Sequence, residues 1–296
     1  MIHDWSIPGA DGQPILGNTH VPEERPEGVL LIAHGFKGYK DYGFFPFLAR
    51  AAAMRGLVAH RFNFSHSGMT NRIDTFERPD LFEQDTWGKQ IQDLGLVARA
   101  AADGTLPGPG SEGPIVWFGH SRGGVTALLT ASRVFHGEAL PGTPRPGALV
   151  CAAAPHVACN LDDSQRTLLH RQGYLESPSS RTGQELRLGR RWLEEMEADE
   201  PAFDPLKAIA LIPCPVLLVH GAQDSTVPVE AATLLRRAGG PQVALEVIPG
   251  ATHTFNAPNP LGPDAEPPPE TERFVQTVCD FAVRQGGKGS LRRFRE

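Results

Sequence analysis

Cysteine is scarce in this chain, with four in 296 residues. Cys151, Cys159, Cys214 and Cys279 form no CxxC pair and fall at no metal-ligand spacing, and neither a metal nor an organic cofactor is expected. Cys151 and Cys214 lie in or beside strand-like runs and read as small packing residues. Lysine is also scarce, at five of the 28 basic residues. The net charge is 28 − 34 = −6, and no long basic run interrupts the body of the chain, which argues against nucleic acid as the main partner. No apolar run approaches the roughly 18 residues of a membrane span. The opening MIHDWSIPGADG has no basic segment followed by an apolar one, so no signal peptide is indicated and a cytoplasmic location is expected.

What is present is a 40% hydrophobic chain punctuated by 32 glycines and 27 prolines. That length and content suffice for one large core with an insertion. Short, nearly all-apolar runs alternate with helical stretches. Strands are expected at Val29–His34, Leu57–Phe62, Ile115–Gly119, Ala148–Ala154, Pro215–Gly221 and Val243–Gly250. Helices are expected near Phe44–Arg55, from an Asp85 cap to about Ala102, from Arg122, at Val229–Ala238 and at Glu270–Arg284. Apolar strands alternating with helices imply a mostly parallel sheet covered on both faces. The segments up to Val21 are expected to add an antiparallel edge. This places an α/β core at 1–155 and 214–285. Residues 156–213 break the rhythm and read as an insertion that lids the site, with a turn near Ser179–Gly183 and a helix near Gly189–Ala198. Residues 286–296, within RQGGKGSLRRFRE, read as a basic, disordered tail.

The sharpest signal is VWFGHSRGGVTALL, Val116–Leu129. It begins as a buried strand, ends as a helix and turns at Ser121. Gly119, Ser121 and Gly123 fit G-x-S-x-G. In a strand–turn–helix context that pattern pushes a serine hydroxyl out above the sheet, and the glycines remove side chains that would clash at the turn. The helix that follows points its free N–H groups at the same spot. A serine nucleophile needs a base, and the base needs an orienting acid. Asp224 follows the strand PVLLV and His253 follows VALEV, so both loops are expected to open at the sheet edge where Ser121 is presented. Asp204 is the alternative acid. A tetrahedral oxyanion requires donors. The backbone N–H of Arg122 is expected to supply one, and that of Phe36, after the strand VLLIAH, the other, because Gly35 permits close approach.

The stretches HGF (His34–Phe36), GHSRGG (Gly119–Gly124), HGAQDSTVP (His220–Pro228) and GATHTF (Gly250–Phe255) resemble the α/β-hydrolase superfamily. The resemblance runs from about Val29 to Phe281. It is nearest to lidded bacterial cinnamoyl/feruloyl-type carboxylesterases and to dienelactone-hydrolase-like or serine-peptidase-like hydrolases. It implies the α/β-hydrolase fold with an inserted lid. It also implies triad roles for Ser121, Asp224 and His253, and an oxyanion hole from Phe36 and Arg122. The resemblance leaves two departures. Those esterases often carry Gln or Met where Arg122 stands, and FNFSHSGMT (Phe62–Thr70) replaces their Asp-x-x-Gly-His-Gly stretch. The expected function is hydrolysis of small or aromatic, hydroxycinnamate-like carboxylic esters through an acyl-enzyme on Ser121, the partner being a small-molecule ester. The alternatives are a serine peptidase or amidase with the same triad, and a non-catalytic binding protein of this fold. Dehalogenases and epoxide hydrolases, which need an aspartate at the corner, are excluded by Ser121. Substrate contacts are expected from His34, and from Trp192, Leu193 and Met196 on the apolar side of the inserted helix.

Overall fold

The run GVLLIA leaves no polar side for water, and the chain uses it as the inner strand of a sheet. The computed structural model describes residues 1–292 apart from Ala139 and Pro263, with side chains described as far as Gln285. In chain order the elements are β1 (Ile2–Pro8), β2 (Pro14–His20), β3 (Gly28–Ala33), α1 (Phe45–Met54), β4 (Leu57–Asn63), α2 (Pro79–Glu83), α3 (Trp87–Ala102), β5 (Ile115–His120), α4 (Arg122–His136) and β6 (Ala148–Ala152). They continue with α5 (Asp163–Gln172), β7 (Tyr174–Glu176), β8 (Arg187–Gly189), α6 (Arg190–Ala198), α7 (Pro205–Ala210), β9 (Val216–Gly221), α8 (Glu230–Gly239), β10 (Val243–Ile248) and α9 (Pro269–Arg292).

Eight strands form one sheet in the order β1-β2-β4-β3-β5-β6-β9-β10. The six strands from β4 to β10 are mutually parallel, and β1 and β2 add the expected antiparallel edge. Because side chains alternate across a strand, each inner strand feeds two cores. Val29, Leu31, Trp117, Leu149 and Leu218 pack with α3, α4, α7 and α8 on one face. Leu30, Ile32, Phe118, Val150 and Val219 pack with α1 and α9 on the other. Full burial of each such aliphatic side chain stabilises the fold by roughly 1.5–3 kcal/mol before the entropy of ordering is subtracted.

Register decides where the site lies. His120 pairs with Ala152, Ala152 with Val219, and His220 with Val247. The loops after β5, β9 and β10 therefore leave the sheet along one edge.

Four details depart from the sequence reading. Thr86, not Asp85, caps α3, accepting from the Lys89 amide at 3.4 Å; the Asp85 carboxylate is turned inward to other partners. Between β6 and β9 the chain forms α5, the β7–β8 hairpin and α6, but α7 packs against α4 and α8 in the layer under the sheet. Residues 205–210, counted in the expected insertion 156–213, thus pack with the core helices. Leu193 and Met196 of α6 belong to the core of that same face. Finally, α9 runs on to Arg292 where the expected helix stopped at Arg284. The glycines at 286 and 287 weaken a helix but do not forbid its backbone angles. The expected tail therefore begins as helix, and residues 293–296 lie outside the described residues.

Candidate active site

Ser121 sits between β5 and α4 with φ 54° and ψ −122°. A non-glycine residue pays on the order of 1–3 kcal/mol for such a conformation, and the surrounding contacts must hold it there. They do. The Ser121 amide donates to the Ala152 carbonyl at 2.7 Å, and the Ser121 carbonyl accepts from Gly124 at 2.9 Å. A Cβ on Gly119 would come within 2.1 Å of the Gly123 carbonyl oxygen, and one on Gly123 within 2.4 Å of the His34 carbonyl oxygen. The glycines are thus fixed by backbone-to-backbone approach at the turn.

Asp224, in the turn after β9, is buried. Its Oδ1 accepts from the amides of Thr226 at 2.9 Å and Val227 at 2.8 Å. Its Oδ2 lies 2.8 Å from His253 Nδ1 and 3.3 Å from His220 Nε2. Burial opposes ionisation, but the hydrogen bonds from His220, His253 and the Val227 amide outweigh it and hold the carboxyl well below its ordinary range. With Nδ1–H committed to Asp224, the Nε2 of His253 is left as the basic nitrogen. His253 and Ser121 line the same cleft of about 170 Å³. Their side chains are not hydrogen-bonded to each other across it, a contact that commonly tightens only when substrate is bound.

The loop after β3 lies directly against the serine. A Cβ on Gly35 would come within 3.0 Å of both the His120 carbonyl oxygen and Ser121 Cβ. Gly38 N donates to Gly35 O at 3.0 Å, closing the turn that carries Phe36. Arg122 opens α4, where first-turn amides have no intrahelical acceptor. Among the described residues, neither the Phe36 nor the Arg122 amide has an acceptor.

His34 is not a substrate contact. Burial pushes its pKa down to about 4, so the ring is neutral. Its Nε2 accepts from Phe64 N at 3.2 Å, and its Nδ1–H donates to Gly35 O at 2.8 Å. Both nitrogens are spent on backbone, and the ring supports the loop from behind. Asp204 is likewise removed from the site: it caps α7, accepting from Leu206 N at 2.9 Å.

A larger, mainly apolar cavity of about 530 Å³ opens from Ser121 beneath the insertion. Phe36, Trp87, Arg122 and Trp192 line it. Leu193 and Met196 do not: Leu193 is fully buried, and Met196 Sδ accepts from Trp87 Nε1 at 3.1 Å. Three neighbours on one helix thus divide their work, one facing the cavity and two anchoring. Glu195 adds to the anchor, accepting from Gly88 N at 3.0 Å and from Thr86 Oγ1 at 3.0 Å at the N-terminus of α3.

Two histidines emerge with structural work at the site. His120, buried beside Phe44 and Phe45, donates from Nε2 to the His253 carbonyl at 2.9 Å. Burial pushes its pKa down to about 3. His220 donates to Val227 O at 2.8 Å, pinning the acid's loop. Their adjacency in sequence to Ser121 and Gly221 was the only available hint. On the far side of the serine, Lys37 Nζ donates to Pro178 O at 2.7 Å, and Arg181 stacks on Tyr39, joining the hairpin tip to the loop after β3. Among the described residues no group of His, Cys, Asp or Glu could hold a metal ion, and no helix is long and apolar enough to cross a membrane.

A strand-presented serine, an acid–imidazole pair one loop away and two spare amides define an α/β-hydrolase arrangement. The chain belongs to the alpha/beta hydrolase family, whose model matches residues 29–262. In structure it is similar to Est1E from Butyrivibrio proteoclasticus with ferulic acid bound, at a TM-score of 0.70 and 19% identity over 95% of this chain and 98% of that one. It is also similar to the esterase domain of a Rhodothermus marinus protein (TM-score 0.62, 19% identity, 96% and 98% covered). A dienelactone hydrolase from Anabaena variabilis follows at a TM-score of 0.57 and 16% identity, with 96% and 98% covered. No curated protein matches the chain in sequence. At these identities the structural likeness speaks for the fold.

Proposed function

We propose that the protein is a serine carboxylester hydrolase acting on small or aromatic esters. The observation that carries this reading is the 2.8 Å Asp224–His253 pair opening into the same cleft as a backbone-strained serine. In the proposed cycle His253 Nε2 takes the Ser121 proton as Oγ attacks the ester carbonyl. The amides of Phe36 and Arg122 receive the oxyanion. His253 then returns the proton to the departing alkoxide, leaving the acyl group on Ser121. Water repeats the sequence in reverse, releasing the acid and restoring the serine. Asp224 keeps the imidazole in the productive tautomer and offsets its charge. The insertion acts as a lid that excludes water from the acyl-enzyme. The aromatic walls contributed by Phe36, Trp87 and Trp192 favour a flat substrate group, as does the ferulic acid held by the structurally similar Est1E.

The test is Ser121→Ala. It is expected to lower turnover of p-nitrophenyl and hydroxycinnamate methyl esters by at least about 10³-fold and to abolish fluorophosphonate labelling, because triad members act as a unit. Labelling at the wild-type rate would move the nucleophile elsewhere. Aminoacyl anilides in the same panel separate amide from ester preference.

A further inference from the structure

Arg122 stands beside the nucleophile, and only its backbone has a part in the cycle above. Its side chain is 9% exposed and lines the cavity that opens from Ser121. A guanidinium carries five N–H donors and is costly to bury with them unpaired. Here it has one charged partner: Nη2 lies 3.1 Å from Asp85 Oδ2. That pair lacks hydrogen-bond alignment, and Nε has no acceptor either. The remaining neighbours are rings, with the guanidinium carbon 4.6 Å from the centroid of Trp87, 5.6 Å from Phe36 and 5.7 Å from Trp192. Trp192 Nε1 is a further buried donor with no acceptor.

Nearby carboxylates do not fill the gap. Asp85 Oδ2 already accepts from Gln90 Nε2 at 2.6 Å, Asp85 Oδ1 is buried without a donor and so is not turned to the guanidinium, and Glu195 is spent on the start of α3. The other charged residue of the cavity wall, Glu176, is exposed. The wall of the cavity therefore carries a buried, under-satisfied cation between aromatic faces, in the same cavity that Ser121 lines.

We propose that Arg122 recognises a carboxylate on the substrate, so that the preferred ester is a half-ester carrying a second, free acid group. This rests on the hydrolase reading and names its substrate class. The planar fork of a guanidinium matches a carboxylate with two parallel hydrogen bonds, and the flanking rings leave a flat slot suited to a planar anion. Hydrolysis of such a half-ester consumes one water and yields the dicarboxylic acid and the alcohol.

The experiment compares kcat/KM for the monomethyl and dimethyl esters of adipic and terephthalic acids, in the wild type, Arg122→Met and Arg122→Lys. The wild type is expected to favour the half-esters by about 10- to 100-fold, mostly through KM, as suits a buried charge-assisted contact. Arg122→Met erases the preference and Arg122→Lys keeps part of it. The ratio is taken within each protein, so a general loss of activity does not enter it. A wild type that favours the diesters, or a preference that survives in Arg122→Met, overturns the proposal and leaves the guanidinium as an anchor for α6. Calorimetry of monomethyl adipate binding to Ser121→Ala, with and without Arg122→Met, reads the same contact without turnover. Binding that ignores Arg122 overturns the proposal even if the hydrolase reading stands. If no ester is cleaved, Arg122-dependent binding still upholds this site while the hydrolase reading fails.

Discussion

Replacing Asp224 with asparagine separates the acid's two jobs. Oδ1 holds the loop through the Thr226 and Val227 amides at 2.9 and 2.8 Å, and an asparagine carbonyl oxygen keeps both bonds. Oδ2 accepts from His253 Nδ1–H at 2.8 Å, and there asparagine offers an N–H instead. The imidazole must then take the other tautomer, with its proton on Nε2, where the base is needed. Loss of the correct tautomer and of the charge that supports the imidazolium costs about 10⁴-fold in turnover. At about 1.36 kcal/mol per decade that is roughly 5 kcal/mol of barrier, and at neutral pH the fold also loses the stabilisation that the ionised carboxyl supplies. The control is Asp204→Asn, whose side chain caps α7, a role asparagine fills equally well. Initial rates on p-nitrophenyl acetate, with thermal melts of all three proteins, decide the matter. The reasoning is refuted if Asp224→Asn stays within tenfold of wild type, or if Asp204→Asn is the crippled variant. Acid stability supplies a second reading. The folded-state Asp224 carboxyl lies below its unfolded value, so its stabilisation is complete above about pH 4 and is lost as pH falls through the folded value. The asparagine variant should show less of this acid loss.

Asp93 is wholly buried, and burial pushes its pKa up to about 7 against the amides of Ala10 and Ser65. Because the folded state binds the proton more tightly, stability should fall as pH rises from about 4 to about 7; Asp93→Asn should flatten that slope in denaturant titrations while leaving one of the two amides without its acceptor, at about 1–3 kcal/mol. Glu195→Ala should cost about 1 kcal/mol by uncapping α3, lowering Tm by roughly 2–4 °C in a thermal melt; an unchanged Tm would show that α6 is held by its apolar residues alone. Replacing residues 172–188 with a short Gly/Ser linker removes the hairpin tip that Lys37 and Arg181 tie to the loop after β3. Preference among ester sizes should then shift more than hydrolysis of a small acetate does, and a full, unaltered substrate profile would show the hairpin plays no part in selection.

The positions of the core strands were readable because apolar runs such as LLIA and VLLV carry their own boundaries, and the loop positions of Ser121, Asp224 and His253 follow from those boundaries. The side on which a helical residue points was not readable. Trp192, Leu193 and Met196 form one apolar stripe in sequence, and the same stripe serves a helix facing a pocket or one packed on a core. Nor did α5 declare itself, since Leu169 is its one buried residue and its signal is the Asp162–Gln165 capping box. His34 looked available because a histidine beside a glycine loop reads as a polar group near a site. What removes it is the Phe64 amide, thirty residues away and brought near by the pairing of β3 with β4.

The hydrogen bond from His120 to the His253 carbonyl joins the residue before the nucleophile to the backbone of the base. Two loops that leave the sheet on non-adjacent strands are thereby riveted at their roots. A displacement of the β5 terminus would be passed through this bond to the loop after β10, which favours Ser121 and His253 moving in step. Burial pushes the His120 pKa down to about 3, and its Nε2–H is committed to that carbonyl.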